Sequence, residues 1–328
     1  MNDPKRFVAS LPDLALIEVS GADAADFLHG QLTHDVAGLQ PQQARLAGYC
    51  TAKGRLLGTM AIWRRSSGDT PAVLALVKAD IAESLVKRLT MFVLRAKAKL
   101  RVTQSRVWGV SVSVAGGVDA SLDATDFPPS LAADLPAAAL PWTVVHGAVG
   151  TWVSAPRADN DMQRWWLITD ESDPAPSLPA GNTARWQADD IAAGLPWVQA
   201  ATQDLFIPQT LNLDLIDGVS FTKGCYPGQE VVARSHYRGT VKRRTAVGLI
   251  AAPAGLDAGA LAALDTFNAR QPDNPCGRIV NAAADQAGIR VLMEVQLAGL
   301  DSADFRLGQA DGPAIQLQAL PYGLESQT

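Results

Sequence analysis

The stretch Lys223-Gly224-Cys225-Tyr226-Pro227-Gly228-Gln229-Glu230, followed by Arg234, His236, Tyr237, Arg238 and Gly239, constrains this chain more than any other. A thiol, an amide, a carboxylate and several cations packed among two glycines and a proline make little sense as core. Glycine permits positive φ and a close approach of backbone, and proline fixes a turn. The stretch therefore reads as a loop that aims several side chains at one point, which is the profile of a site.

Composition sets what can surround such a loop. At 328 residues, 48% of them hydrophobic, the chain is long enough for two or three domains with more than one core. A net charge of -5 argues against a general nucleic-acid coat, because such binding is driven by phosphate neutralisation. The first eleven residues carry Asp3, Lys5 and Arg6 and lack the apolar run of a signal peptide. The most apolar tract, Leu249 to Leu264, is interrupted by Pro253, Gly255, Asp257 and Gly259, so no membrane span is expected. Cys50, Cys225 and Cys276 form no CxxC pair and no disulfide framework. The expectation is a cytoplasmic protein with reduced thiols.

Leu14 to Val19 reads as a buried strand, and a helix capped by Ser20 and carrying Phe27 and Leu28 should follow, running into Gln31-Leu32-Thr33-His34-Asp35-Val36. That places Asp35 at or just past a helix C-terminus, where the dipole does nothing for a carboxylate. Arg45 to Cys50 and Leu56 to Trp63 read as strands around the turn Thr51-Ala52-Lys53-Gly54-Arg55, with a third strand at Val73 to Val77. Asp80 and Glu83 suggest a capping box for a helix through Leu94, and Leu100 to Thr103 closes the unit. Further strands are expected at 107–114, 142–145, 151–153 and 165–168, with a hairpin loop at 157–163 and loop with short helix at 116–141. Pro174, Pro176 and Pro179 mark a connection, and Trp186 to Ala193 a helix ended by Gly194-Leu195-Pro196. Short strands at 245–250, 277–280, 289–297 and 315–320 suggest a C-terminal β-barrel. The class is α+β, with domains at 1–105, 106–243 and 244–328.

Several chemistries fit the loop. Cys225, near cations, can act as a nucleophile, be oxidised or ligate a soft metal, or it can be a small buried hydrophobe. From Lys223 to Arg244 there are six basic residues, Lys223, Arg234, Arg238, Lys242, Arg243 and Arg244, against the single acid Glu230. Such a run is a solvated face, a seat for a carboxylate or phosphate, or a contact for a tRNA backbone with Tyr226 and Tyr237 as the stacking partners. Asp35 can orient a nitrogen heterocycle, act as a base or cap a loop, and Gln229 with Glu230 can read a heterocycle edge. The histidines His29, His34, His146 and His236 show no ligand pattern, no metal site is expected, and no P-loop, HExxH, GxSxG or dinucleotide fingerprint occurs.

The run Lys223-Gly224-Cys225-Tyr226-x-Gly228-Gln229-Glu230-x-x-x-Arg234 resembles the signature of the YgfZ folate-binding proteins, relatives of the aminomethyltransferase (T-protein) of the glycine cleavage system. Phe206-Ile207-Pro208-Gln209, Asn212-Leu213, Gly30-Gln31-Leu32-Thr33-His34-Asp35-Val36 and Lys53-Gly54-Arg55 are similar to the same superfamily. The resemblance implies two related folate-binding lobes with mixed or antiparallel sheets plus a C-terminal β-barrel. It implies tetrahydrofolate or a one-carbon-substituted folate as cofactor, with Asp35 orienting the ring, cations such as Lys223 and Arg234 facing its carboxylates, and Tyr226, Gln229 and Glu230 in the binding set. Cys225 would be the residue that separates this branch from true aminomethyltransferases. The implied role is accessory: assembly or repair of iron-sulfur enzymes, in contact with the assembly machinery or client enzymes, with an indirect effect on tRNA modification. A folate-dependent one-carbon transferase and a tRNA-binding module are the alternatives. Ile191-Ala192-Ala193-Gly194-Leu195-Pro196 lacks the pterin-gripping glutamate of the T-protein, which counts against aminomethyl transfer. A monomer without direct nucleic-acid binding is expected.

Overall fold

Most of the apolar runs do become strands, and their partners explain which runs stay buried. The computed structural model describes residues 7–65, 68, 70–113, 133–172, 183–237, 241–251, 255–298 and 300–324. The expected strand end at Val114, most of the 116–141 loop, the three prolines at 174–179, Arg238 and Gly239 lie outside them. In order come β1 (Phe7–Ser10), β2 (Leu14–Ser20), α1 (Ala24–His29), β3 (Ala44–Cys50), β4 (Leu56–Arg64), β5 (Ala72–Lys78), α2 (Ala79–Thr90), β6 (Lys99–Val102) and β7 (Arg106–Ser113). They are followed by β8 (Val144–His146), β9 (Thr151–Ser154), β10 (Met162–Thr169), α3 (Thr183–Ala192), α4 (Gln229–Tyr237), β11 (Arg243–Ala251), β12 (Asp265–Asn268), β13 (Gln271–Asp285), β14 (Gly288–Gln296), β15 (Phe305–Leu307) and β16 (Gln316–Gln318).

The chain divides into two compact units. The first comprises Met1–Leu28, Val36–Arg45 and Ala61–Trp186, the second His29–Asp35, Leu46–Met60 and Gln187–Thr328. Strand β2 pairs antiparallel with β5 and β6 in a sheet of order β3-β4-β5-β2-β6, and every residue of β5 is buried. The second sheet runs β1-β7-β10-β9-β8 around a core that includes Val110, Trp152, Trp165 and Leu167. Helix α2 buries Ile81, Ala82, Leu85 and Leu89, the three-to-four spacing that one apolar face requires.

In the second unit, the sheet β15-β12-β13-β14-β11-β16 encloses Ile279, Val291, Met293, Phe305 and Ile315. The edge strand β15 also bonds residues 313–315, Leu307 N–H to the Pro313 carbonyl and Ile315 N–H to the Phe305 carbonyl, and these lead directly into the opposite edge, β16. The sheet therefore curls round its core, in line with the barrel expectation. Helix α3 ends where expected: Gly194 takes φ 67° and Leu195 N–H reaches the Asp190 carbonyl.

Five local expectations are corrected. Helix α1 stops at His29 instead of running into Val36, because Gly30 follows and the backbone beyond it bonds to a strand. Helix α2 has Lys78 at its N-cap with no side-chain cap, so the Asp80 and Glu83 box does not form. It ends at Thr90, leaving Met91, Phe92 and Leu94 exposed although they continue its apolar spacing. Strand β10 starts at Met162, which shortens the 157–163 hairpin loop, and the stretch after Gly228 is a helix where a loop was expected. Among the described residues no helix is long and apolar enough to cross a membrane.

Candidate functional site

The second unit gathers three segments that are far apart in sequence: His29–Asp35, the turn at 51–55 and the loop leading into α4. Thr33 ties the first of them down. It is fully buried, its N–H bonds the Gly48 carbonyl, its hydroxyl donates to the Gly218 carbonyl and accepts from Gly48 N–H, and its carbonyl accepts from Ser220 N–H. With both backbone groups and the hydroxyl engaged, the residues on either side are held in one conformation. His34 is buried next to it; its Nδ1 accepts from Asp35 N–H at 2.7 Å, and Nε2 lies 3.4 Å from Asp217 Oδ1.

Asp35 is presented on this frame. Its carboxylate, 40% exposed, stands 3.0 Å from Nδ1 of His29, which closes the six-residue α1. Between them, Gln31 holds a buried side-chain oxygen without a hydrogen-bond partner. An unmet acceptor of that kind costs about 1–3 kcal/mol unless a ligand or water supplies a donor.

The loop meets this segment through Lys223 and Gly224. The Lys223 ammonium donates to the carbonyls of His29 (2.5 Å) and Leu32 (3.0 Å) and lies 4.6 Å from the centre of the Tyr226 ring. Burial pulls its pKa down to about 8 from the usual 10.5, against the opposing fields of Asp35 and Cys225. Gly224 lies beside His29: a Cβ there would stand 3.7 Å from Nε2.

Gly228 explains the rest of the motif. It has φ +81°, and a Cβ on it would strike the Thr51 carbonyl oxygen at 2.5 Å and Gly54 Cα at 2.6 Å. Gly54, at φ +73°, is itself crowded by Val231 of α4. Two bare backbones thus pack together, and the Lys53-Gly54-Arg55 turn fixes where α4 begins. From inside that helix Val232 offers its carbonyl to the buried Gln209 amide at 2.6 Å.

The two cysteines beside the loop have opposite surroundings. Cys50 is buried on β3, and burial pushes its thiol up to about 12, so it is inert near neutral pH. Cys225 is exposed. Tyr226 is buried, and burial followed by the field of Cys50 raises its phenol. Gln229 and Glu230 form the first turn of α4; Glu230 is exposed and pairs one turn on with exposed Arg234 at 2.9 Å. The basic run is split: Arg244 is buried and bidentate to Asp214, Arg243 pairs with Glu294 at 3.1 Å, and Arg234 faces solvent. Phe221, His236 and Tyr237 make a separate ring cluster, with Phe221 and His236 stacked at 3.7 Å. Among the described residues no three His, Cys, Asp or Glu side chains are placed to hold a metal.

Of the residues singled out in the sequence, Asp35 and Cys225 both lie near enough to act on the charge of Lys223. Sequence reading gave no role to His29 or Gln31. The signal available was their position in the run that ends at Asp35, obscured by the expectation that one helix continues through it.

The fold belongs to a recognisable class. The glycine cleavage system aminomethyltransferase T from Bartonella henselae matches with a TM-score of 0.66 over 98% of this chain and 86% of that one, at 15% identity, which is a likeness of fold. Sequence narrows it. A protein of Edwardsiella ictaluri named tRNA-modifying protein YgfZ is 34% identical over 241 residues, 71% of this chain and 68% of the relative. A protein of the same name from Yersinia pestis strain Pestoides F is 32% identical over 242 residues, again 71% and 68%. The chain belongs to the YgfZ family. No protein-family model matches it.

Proposed function

We propose that this protein binds tetrahydrofolate or a one-carbon-substituted folate and supports the assembly or repair of iron-sulfur enzymes, acting on tRNA modification through those clients. The observation that carries the reading is the convergence of a partly exposed Asp35 carboxylate, the partnerless buried oxygen of Gln31 and the exposed Cys225 in one unit. A pterin edge is rich in N–H donors, and two acceptors on one short segment suit it. Asp35 and Gln31 would hold the ring, and Cys225 would supply the reactive thiol. When bound, the folate supplies a one-carbon carrier. Lys223 would act from below the site by bracing the His29–Leu32 backbone, since its ammonium is taken up by two carbonyls. The names of the relatives support the link to tRNA modification.

Two measurements test this. Tetrahydrofolate titration followed by calorimetry should give saturable binding to the wild type, with affinity reduced at least about ten-fold in Asp35→Asn, the loss of one charge-assisted hydrogen bond. Expression in a bacterial strain lacking its own YgfZ should restore a cluster-dependent enzyme activity, and Cys225→Ala should not. Absence of folate binding, or full rescue by Cys225→Ala, removes the corresponding half of the proposal. The one-carbon transferase reading has the fold likeness in its favour and the absent carboxylate in Ile191–Pro196 against it. Formation of methylene-tetrahydrofolate from an aminomethyl donor would establish it.

A further inference from the structure

The first unit carries cations at every second residue, Arg95, Lys97, Lys99 and Arg101, running up to and along the edge strand β6. All four are exposed, and none has a part in holding a folate as proposed above. We propose that the groove beside this strand is a binding site for single-stranded RNA, held by its phosphates.

Strand pairing puts the cations of β6 on one face. Its register sets Lys99 opposite Ser20 and Arg101 opposite Glu18, and strand residues two apart share a face. Arg101 Nε reaches the Glu18 carboxylate at 3.2 Å, and Arg65, at the end of β4, reaches the same carboxylate at 2.6 Å. Beside this triplet lies a groove of about 590 Å³ whose lining includes Glu18, Ser20, Arg65, Thr70, Lys97 and Lys99. Three cations stand there against one acid, and that acid is already held by two guanidinium groups. Asp23 accepts the Lys97 backbone N–H at 2.7 Å, which fixes the chain and leaves the ammonium to solvent. The ammonium groups of Lys97 and Lys99 have no hydrogen-bond or ion-pair partner among the described residues. Arg65 also holds a buried Nε with no acceptor, a deficit that a phosphate oxygen would meet.

Shape and spacing choose the occupant. A groove along a strand suits a chain-like polyanion and not a flat bilayer. Alternate residues of a strand repeat at about 6.5 Å, close to the step between successive phosphates of an extended nucleic-acid strand. Phe92, 47% exposed, stands in the turn before Arg95 and supplies a ring on which an unstacked base can lie, a feature that an acidic peptide does not call for. Ser20 and Thr70 bring hydroxyls to the groove, and the ribose 2′-OH is the partner that RNA offers them and DNA lacks. The chain's net charge of -5 confines the attraction to this patch, so the contact is one site and not a coat.

The test is fluorescence anisotropy on the purified full chain with a labelled oligouridylate of about ten nucleotides, within the span of one single-strand site. Each phosphate neutralised on a single strand contributes about -0.7 to the slope of log K against log salt. Wild type should bind with a slope of about -2 or steeper between about 50 and 200 mM salt, from Arg65, Lys97 and Lys99 together. Lys97→Gln combined with Lys99→Gln should make the slope shallower by about 1.4 and weaken binding about ten-fold or more. Each lysine changed alone should give about half of that change in slope, a measure that stands even where the double variant misfolds. No binding by the wild type, or an unchanged slope in these variants, overturns the proposal. The same loss of charge placed on the exposed Lys242 and Arg270 of the second unit, both to Gln, should leave affinity and slope as they were. An equal loss there marks attraction by net charge and overturns the site. Preference for phosphatidylglycerol vesicles, or displacement of the oligomer by polyglutamate at equal charge, gives the cations to another partner, and equal affinity for the deoxy oligomer of the same sequence removes RNA as the ligand. A chain that binds the oligomer but not tetrahydrofolate loses the proposed function and keeps the groove.

Discussion

Arg234 and Arg244 come from the same run of basic residues and end in opposite circumstances. Arg234 stands on α4 with its side chain 70% exposed, paired with Glu230 one turn back. Arg244 on β11 has a side chain 2% exposed, makes two contacts to Asp214 and donates to the Gln209 carbonyl. A charge run read along the sequence is therefore two things in space: a solvated helix face and a buried clamp under the strand that begins the curled sheet. What differs is not charge but dielectric, and dielectric decides whether losing a partner is expensive.

The contrast can be broken most forcefully at its buried end. Arg244→Ala leaves Asp214 uncompensated and should cost about 3–5 kcal/mol in urea unfolding, whereas a cost under about 1 kcal/mol would show that water already reaches the pair. Next in size is Gly228→Ala. Its positive φ and the collision with the Thr51 carbonyl predict a loss of about 1–3 kcal/mol together with slower Cys225 alkylation, since the start of α4 must shift. Lys223 sits between the extremes, and its effect depends on pH. With a folded value near 8 and an unfolded value near 10.5, the unfolded chain binds more protons between them. The cost of burying this charge is thus present in full below pH 8 and is relieved as pH rises toward 10.5. Wild type should gain stability relative to Lys223→Met over that window; a constant difference would place the ammonium in solvent. Arg234→Ala should be the smallest, about 0.3–0.5 kcal/mol, detectable at low salt and lost at high salt.

Much of the fold was legible. Continuous or alternating apolar runs marked β2, β4, β5 and β14, and Gly194 marked the end of α3. Helix α4 was hidden because Pro227 and Gly228 read as loop punctuation, while its aliphatic residues Val231, Val232 and Ala233 are consecutive and show no helical spacing. In space that same glycine is the position that lets the helix start. The strands β1, β12 and β15, of three or four residues each, went unread in the sequence. Within the site, Cys225 and Asp35 could be singled out by their unusual local settings. The His29 contact could not, because it depends on a chain reversal after a six-residue helix. The glycine-on-glycine contact likewise joins residues whose individual sequence settings say only that each is a turn.

Thr33 bonds Gly218 across 185 residues, and Lys223 bonds Leu32 and His29 across 191 and 194. During translation, at roughly 5–20 residues per second, the segment from His29 to Asp35 emerges about 10–40 s before the loop that completes it. For that interval its buried threonine and histidine have only solvent or a chaperone for company. The exposed thiol arrives last, into a frame whose other wall has been waiting, so the order of synthesis keeps Cys225 from its assembled surroundings until the nascent chain is two-thirds made.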